Sequence, residues 1–300
     1  MKKTLYFIAI FLLLTIICEG QKFMYHNTVG VTKNNKKIGV WEYYTQDKKI
    51  VRIENYLDGI LDGQLTNYYE NGYKSEIFTY KLGKVTGLYI SYFENGRTKS
   101  KGLYIDSLEQ DDWKYFYKNG ALSIIKGYNK GVAEGTLIAY DKDGIKLIDG
   151  NYKNGLRHGR WIDYHSNGNI RLDANFKNGV YEGPYKSFYI NTKLESEAFF
   201  LNAKLEGQKM DYDSTGNIMQ RAVYRNGMLY GAWEVFYPNK NLKEKGNYEA
   251  GAKNGIWTFY YENGNQKEKG AYHQNEKVNK WCVWDEKGKS QKVKYKKYKK

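Results

Sequence analysis

A unit of 24 residues recurs without loss of phase through this 300-residue chain. Glycine opens the unit at Gly39, Gly63, Gly87, Gly135, Gly159, Gly183, Gly207, Gly231 and Gly255, and the same slot holds Asp111 and Asn279. Five residues after each of these marks stands an aromatic: Tyr44, Tyr68, Tyr92, Phe116, Tyr140, Tyr164, Phe188, Tyr212, Phe236, Tyr260 and Trp284. Aromatics make up 17% of the chain, so filling that slot every time is not chance. A period of this length signals a stacked array in which each unit packs on its neighbours, rather than one globular core. Such arrays present surfaces far more often than they house chemistry.

Within a unit the signals alternate between strand and turn. Gly255-Ile256-Trp257-Thr258-Phe259-Tyr260-Tyr261 is rich in strand-forming types. Glu262-Asn263-Gly264 follows, with parallels at Glu70-Asn71-Gly72, Glu94-Asn95-Gly96, Lys118-Asn119-Gly120 and Ser166-Asn167-Gly168. Asn-Gly there predicts a tight primed turn, with positive φ at both central residues. A second strand then ends on an aromatic, from Tyr56 and Tyr80 to Tyr248 and Tyr272. Two residues before it the side chain is usually small (Gly102, Gly150, Ala174, Ala198, Ala222, Gly246, Gly270), which leaves room for a neighbouring ring. A second turn such as Lys153-Asn154-Gly155 leads to the next opening glycine. The expected fold is all-β: about ten 24-residue hairpin repeats adding edge to edge as one antiparallel meander ribbon. At ~4.8 Å per strand the ribbon is on the order of 95 Å long.

The N-terminus is a separate object. Met1-Lys2-Lys3, the apolar run Leu5 to Ile17 and the small residues of Cys18-Glu19-Gly20 read as a cleavable signal peptide over residues 1–20. The apolar run is too short for a spanning anchor of roughly 20 residues. A lipid anchor on Cys18 is the rival reading, and Ile17 before it is unsuited to lipidation. Residues 21–38 form a lead-in half-repeat, 39–288 the array, and 289–300 a basic Lys/Tyr tail. After cleavage one cysteine remains, Cys282, so no internal disulfide supports the fold.

Gly-x-Trp-x-x-Tyr-(Tyr/Phe)-x-Asn-Gly followed by Tyr-x-x-Gly-x-x-x-Gly resembles the MORN repeat, specifically its bacterial variant type. The sharpest units are Gly159 to Tyr164 with Asn167-Gly168, and Gly255 to Tyr261 with Asn263-Gly264. The resemblance spans about Val31 to Gly288. It implies an elongated hairpin sheet in contact with proteins or lipid headgroups, and kinship with antitoxins or immunity partners of secreted toxins.

Two stretches depart from the pattern. Asp106 to Asp112 lacks both expected glycines, and Asn191 to Lys209 carries Thr192, Ala203 and Lys209 in place of the usual residues. Repeat drift accounts for either, with a bend or a partner contact as the alternative. His26, His158, His165 and His273 occupy different slots, and Asp111-Asp112 point to opposite sides of a strand, so neither a metal site nor a carboxylate pair emerges. No nucleophile elbow, phosphate loop or zinc spacing is present, and no cofactor is expected.

The chain carries a net charge of +15, with lysines crowded into its final segment. Lysine interleaved with tyrosine suits nucleic acid, but an export signal argues against that partner. An anionic membrane surface or an acidic partner fits better. The slot two residues after the glycine varies: Trp41, Leu65, Tyr89, Trp113, Leu137, Trp161, Tyr185, Lys209, Trp233, Trp257, Trp281. Its tryptophans Trp41, Trp113, Trp161, Trp233, Trp257 and Trp281 are the candidate partner-binding residues, if that face stays open. The invariant aromatic at five residues is assigned to packing. These readings converge on an exported, non-enzymatic repeat protein that binds a macromolecule along one face, with a toxin protein as one candidate. A glycan-binding module and a structural envelope spacer are the alternatives.

Overall fold

The computed structural model describes residues 27–294. The expected signal peptide and residues 295–300 of the basic tail lie outside the described residues. Those described form 27 strand segments in a single sheet, with no helix among them. Each strand pairs antiparallel with the next in sequence, from Asn27–Lys33 against Lys36–Tyr44 to Glu276–Trp284 against Ser290–Lys294. Ile60–Leu61, Lys84–Val85, Leu156–Arg157 and Lys204–Leu205 are short lead-ins to strands that resume at the opening glycine. The meander therefore has the expected form. Its last strand, Ser290–Lys294, extends the ladder into residues expected to be tail.

The two turns of the unit exchange the roles expected for them. After the first strand the chain runs Tyr69-Glu70-Asn71-Gly72-Tyr73, with the Gly72 N–H donating to Tyr69 O at 2.9 Å and the Tyr69 N–H to Tyr73 O at 2.8 Å. Gly72 alone has positive φ there, at 86°. This is a four-residue turn closed by a left-handed glycine, not a primed turn. The primed turn lies at the other end of the unit, where Asn154 (φ 51°) and Gly155 (φ 78°) form the two-residue loop between paired Lys153 and Leu156. Asn-Gly occurs at both ends, and the dipeptide alone does not distinguish them.

The phase-marking glycine sits at a bulge. Gly159 has φ 73°, and the pairing of Ile148–Asp149 with Ile162–Asp163 resumes only beyond it. Asp111 (φ 58°) and Asn279 (φ 66°) adopt the same conformation in that slot. Short polar side chains tolerate the left-handed region best after glycine. Thr192 (φ 70°) and Ala203 (φ 65°) likewise keep the turn geometry in the second irregular stretch. Pairing runs unbroken through both departures, so neither is a bend by loss of a strand.

Units are joined along the two edges of the ribbon by different means. On the primed-turn edge the backbone does it: the N–H of the second turn residue donates to a carbonyl of the preceding unit, as in Gly155 to Ala133 O (2.8 Å) and Gly179 to Arg157 O (2.9 Å). These bonds recur from Gly59 to Asn275. On the opposite edge side chains do it. The tyrosine after the invariant aromatic donates its hydroxyl to the next unit, as in Tyr69 to Tyr92 O (2.7 Å), Tyr189 to Tyr212 O (2.8 Å) and Tyr237 to Tyr260 O (2.9 Å). His165 Nε2 reaches Phe188 O at 2.8 Å in the same way. The turn asparagine adds a second bond, Asn71 Nδ2 to Glu94 O at 2.8 Å and Asn239 Nδ2 to Glu262 O at 2.7 Å.

Those side-chain bonds are interrupted in places, and Phe93 leaves its joint only the bond of Asn95 Nδ2 to Lys118 O at 3.1 Å. Asp141, Asp213 and Asp285, three units apart, replace the tyrosine and fold back on their own turns. Asp213 Oδ1 accepts the Thr215 hydroxyl at 2.6 Å and the N–H groups of Asn217 and Thr215, both at 2.9 Å, and these bonds, the hydroxyl foremost, hold its carboxyl well below the usual carboxylate range. Asp143 and Thr215 stand where other turns have asparagine. The joints following Thr45, Asp141 and Asp213 thus lack both staples, since Thr45 and Asp47 hold the two positions in the first turn. Tyr237→Phe, which removes only the stapling hydroxyl, should cost about 0.5–1.5 kcal/mol and raise hydrogen exchange across the joint to Tyr260. Asp213→Ala should raise exchange within its own turn alone; spread of that effect to Phe236 would contradict the assignment.

Candidate binding surface

The tryptophans proposed to form an open row are instead the core of the ribbon. Trp257 and Trp281 are 0% exposed, Trp113 and Trp161 are buried, and Trp41 and Trp233 are half-buried. The reason lies across the strand. An added Cβ at Gly102 would stand 2.2 Å from the Trp113 ring, at Gly246 2.2 Å from Trp257, and at Gly270 2.2 Å from Trp281. The glycine is the bed on which the next unit's indole lies. The indole N–H then donates to the carbonyl just after the glycine: Trp113 to Leu103 O at 3.2 Å, Trp257 to Asn247 O at 3.1 Å, Trp281 to Ala271 O at 3.2 Å.

Aromatics ending the second strands fill the space between indoles. Tyr248 meets Trp257 edge-to-face at 5.2 Å and 89°, Tyr272 meets Trp281 at 5.1 Å and 89°, and Tyr104 meets Trp113 at 5.0 Å and 81°. Such contacts contribute about 0.5–1.5 kcal/mol beyond area burial. Cations close the outer side. Lys253 Nζ lies 4.0 Å from the Trp257 ring centre, Lys277 4.2 Å from Trp281, and Arg157 5.2 Å from Trp161 and 4.6 Å from Phe176. The aliphatic stem covers the ring while the charge stays wet.

The invariant aromatic occupies the opposite face, and it is the half-open one. Tyr44, Tyr68, Phe116, Tyr164, Phe236 and their equivalents are all half-buried. Cations stand over several: Lys101 over Phe116 (5.9 Å), Lys146 over Tyr164 (5.9 Å), Arg221 over Phe236 (5.4 Å). Beside them Val40, Leu88 and Ile256, one residue after the opening glycine, are exposed. Arg160 forms a forked pair with Asp173 on this face at 2.9 and 2.8 Å, and its hydrogen bonds hold the Asp173 carboxyl below its usual range.

The ladder on the tryptophan face has one gap. Where other units place a ring or leucine, Lys209 pairs with Asp211. A cavity of about 420 Å³ opens there, bounded by Tyr181, Tyr185, Phe200, Leu205 and Ala198, with Ser187, Ser196, Lys209 and Asp211 at its polar end and exposed Glu195 at its rim. The Ser196 hydroxyl donates to Asp211 Oδ1 at 2.7 Å. Only the lysine was visible in the sequence as a departure; the cavity follows from keeping a small residue, Ala198, under a slot without a ring. His158 and His165 remain on separate positions of their unit, and among the described residues no group of three His, Cys, Asp or Glu gathers as a metal site.

Four segments match the family described as MORN repeat variant: residues 85–106, 157–178, 229–250 and 253–275. These are MORN-variant repeats. The first three matches lie three units apart, the same spacing as Asp141, Asp213 and Asp285. Two solved structures are similar in local geometry. The crystal structure of TcdB2-TccC3 matches at 12% identity over 87% of this chain and 21% of that chain, with a TM-score of 0.14. That of TcdB2-TccC3-Cdc42 matches at 12% over 88% and 20%, with a TM-score of 0.13. The chain thus spans about a fifth of their length, and at such scores the likeness carries no argument. Comparison with curated proteins gives no match.

Two outcomes follow for the MORN-variant array. Gly270→Ala forces Trp281 off its bed, and overpacking of this kind costs about 1–3 kcal/mol; chemical denaturation of the variant against the parent chain checks this. Burial, with nearby Glu109 and Glu76, pushes the Tyr104 phenol up to about 12, and burial with the Glu197 hydrogen bond does the same for Tyr212. The native array holds these protons more tightly than the unfolded chain does. Their contribution is therefore complete below about pH 10, the phenol's ordinary value, and is lost as pH rises through about 12. Thermal midpoints should fall across that window, with phenolate absorbance lagging until unfolding.

Proposed function

We propose that this MORN-variant array is an exported, non-enzymatic scaffold that binds a protein partner through the face opposite the tryptophans. The observation that carries this reading is the half-open row of invariant aromatics, flanked by lysine and arginine and by exposed Val40, Leu88 and Ile256. Large rings with low side-chain entropy, set among cations, suit a partner with an acidic and apolar surface. The leader-like start, Leu5 to Ile17, supports export, and the family resemblance makes a secreted toxin one candidate partner. The tryptophans contribute rigidity to that face by packing behind it.

Capture from envelope and culture-medium fractions of the producing cell, followed by mass spectrometry, would identify the partner. Leu88→Glu and Ile256→Glu change exposed side chains and should leave the circular dichroism spectrum unchanged. Together they should weaken capture about tenfold or more, equivalent to ~1.4 kcal/mol. Unchanged capture would remove this face as the binding surface, and capture that survives protease treatment of the extract would favour a glycan.

A further inference from the structure

We propose that the cavity at Lys209 is a vacant rung of the aromatic ladder and receives an indole side chain from a bound polypeptide. The protein itself supplies the template. In the other units the slot two residues after the opening glycine carries a tryptophan, tyrosine or leucine, and a small residue often lies beneath it. At Lys209 the small bed is retained as Ala198, as Ala222 is retained for Trp233, but no ring lies on it. The walls that would contact the ring are in place: Tyr185 and Phe200, themselves edge-to-face at 5.5 Å and 63°, with Leu205 behind.

The polar end of the cavity matches an indole as well. Two units earlier, Trp161 donates its Nε1–H to Asp163 Oδ1 at 2.8 Å, across two positions of the same strand. Asp211 stands in the place of Asp163, two residues after Lys209, with no indole to accept from. It is held meanwhile by the Ser196 hydroxyl and the Lys209 ammonium. A guest indole entering over Ala198 would present its N–H to Asp211. Lys209, displaced from the carboxylate, would then cover the ring as Lys277 covers Trp281 at 4.2 Å. A cavity of about 420 Å³ has room for this, since an apolar cavity of roughly 150 Å³ already admits benzene. Four apolar or aromatic walls, Tyr181, Tyr185, Phe200 and Leu205, with Asp211 at the inner polar end and Glu195 at the exposed rim, suit a flat ring with one donor better than a hexose, whose several hydroxyls each need a partner.

This inference rests on the scaffold reading only for the guest being carried on a polypeptide, so its test uses a free probe. The full chain is titrated with N-acetyl-tryptophanamide and followed by saturation-transfer nuclear magnetic resonance, with N-acetyl-leucinamide and glucose as comparisons. Saturation should reach the indole protons and neither comparison compound. Lys209→Trp fills the rung from within and should abolish the signal. Asp211→Asn weakens the acceptor and should lower affinity about tenfold, as expected for loss of a charge-assisted hydrogen bond. If Lys209→Trp does not fold, Asp211→Asn decides alone. No transfer to N-acetyl-tryptophanamide, equal transfer to the leucine compound, or an indole signal indifferent to both substitutions would overturn the proposal. Transfer to glucose in place of the indole would overturn it in favour of a sugar. None of these outcomes bears on whether Leu88 and Ile256 hold the macromolecular partner.

Discussion

A single-layer sheet has no second sheet against which to bury its large side chains, and every other feature of this array answers that constraint. The indole lies flat on the backbone at a glycine, so the sheet serves as its own opposing surface. Rings from the adjoining second strands close its edges, and the stem of a lysine or arginine closes its outer side. The result is a core one side chain deep, continuous along the ribbon, and made wholly of contacts between neighbouring units. Among the described residues Gly30, Gly102, Gly150, Gly246 and Gly270 serve as such beds, while most other glycines take positive φ at turns and bulges.

The same economy of layers explains why the edges matter. Turns in a globular protein lie over a core; here each turn has only the next turn to lean on. Backbone bonds meet that need on one edge, and a tyrosine-asparagine pair meets it on the other. The motif Tyr-x-Asn-Gly is therefore a statement about the following unit as much as about its own turn. This gives the family signature a physical content: its polar residues hold the register between repeats, while its rings and glycines hold each repeat flat against the last.

Much of this was legible in the sequence, because period, strand composition and small-residue spacing are local properties. The glycine-ring complementarity of Gly102 and Trp113 could be anticipated from position alone. Two readings failed for identifiable reasons. Asn-Gly appears in both turns, so the dipeptide did not reveal that Asn154 takes positive φ while Asn71 stays out of that region to donate across units. Invariance of the five-residue aromatic points to the core and variability of the tryptophan slot to the surface. The packing reverses them, because a core slot can vary between Trp, Tyr and Leu when its bed varies with it between glycine, alanine and larger residues. The cavity at Lys209 was beyond sequence reasoning, since it depends on which neighbouring rings converge on the slot.

The interruption of staples after Thr45, Asp141 and Asp213 has a mechanical consequence. One margin of the ribbon is fastened at every unit, while the other is fastened in runs and left loose at three joints, after Thr45, Asp141 and Asp213. Tension applied along the ribbon axis meets unequal resistance at its two margins, so the sheet fans open from the loose side and pivots on the primed-turn margin. Elasticity is then concentrated at three seams, and the segments between them travel as stiff plates.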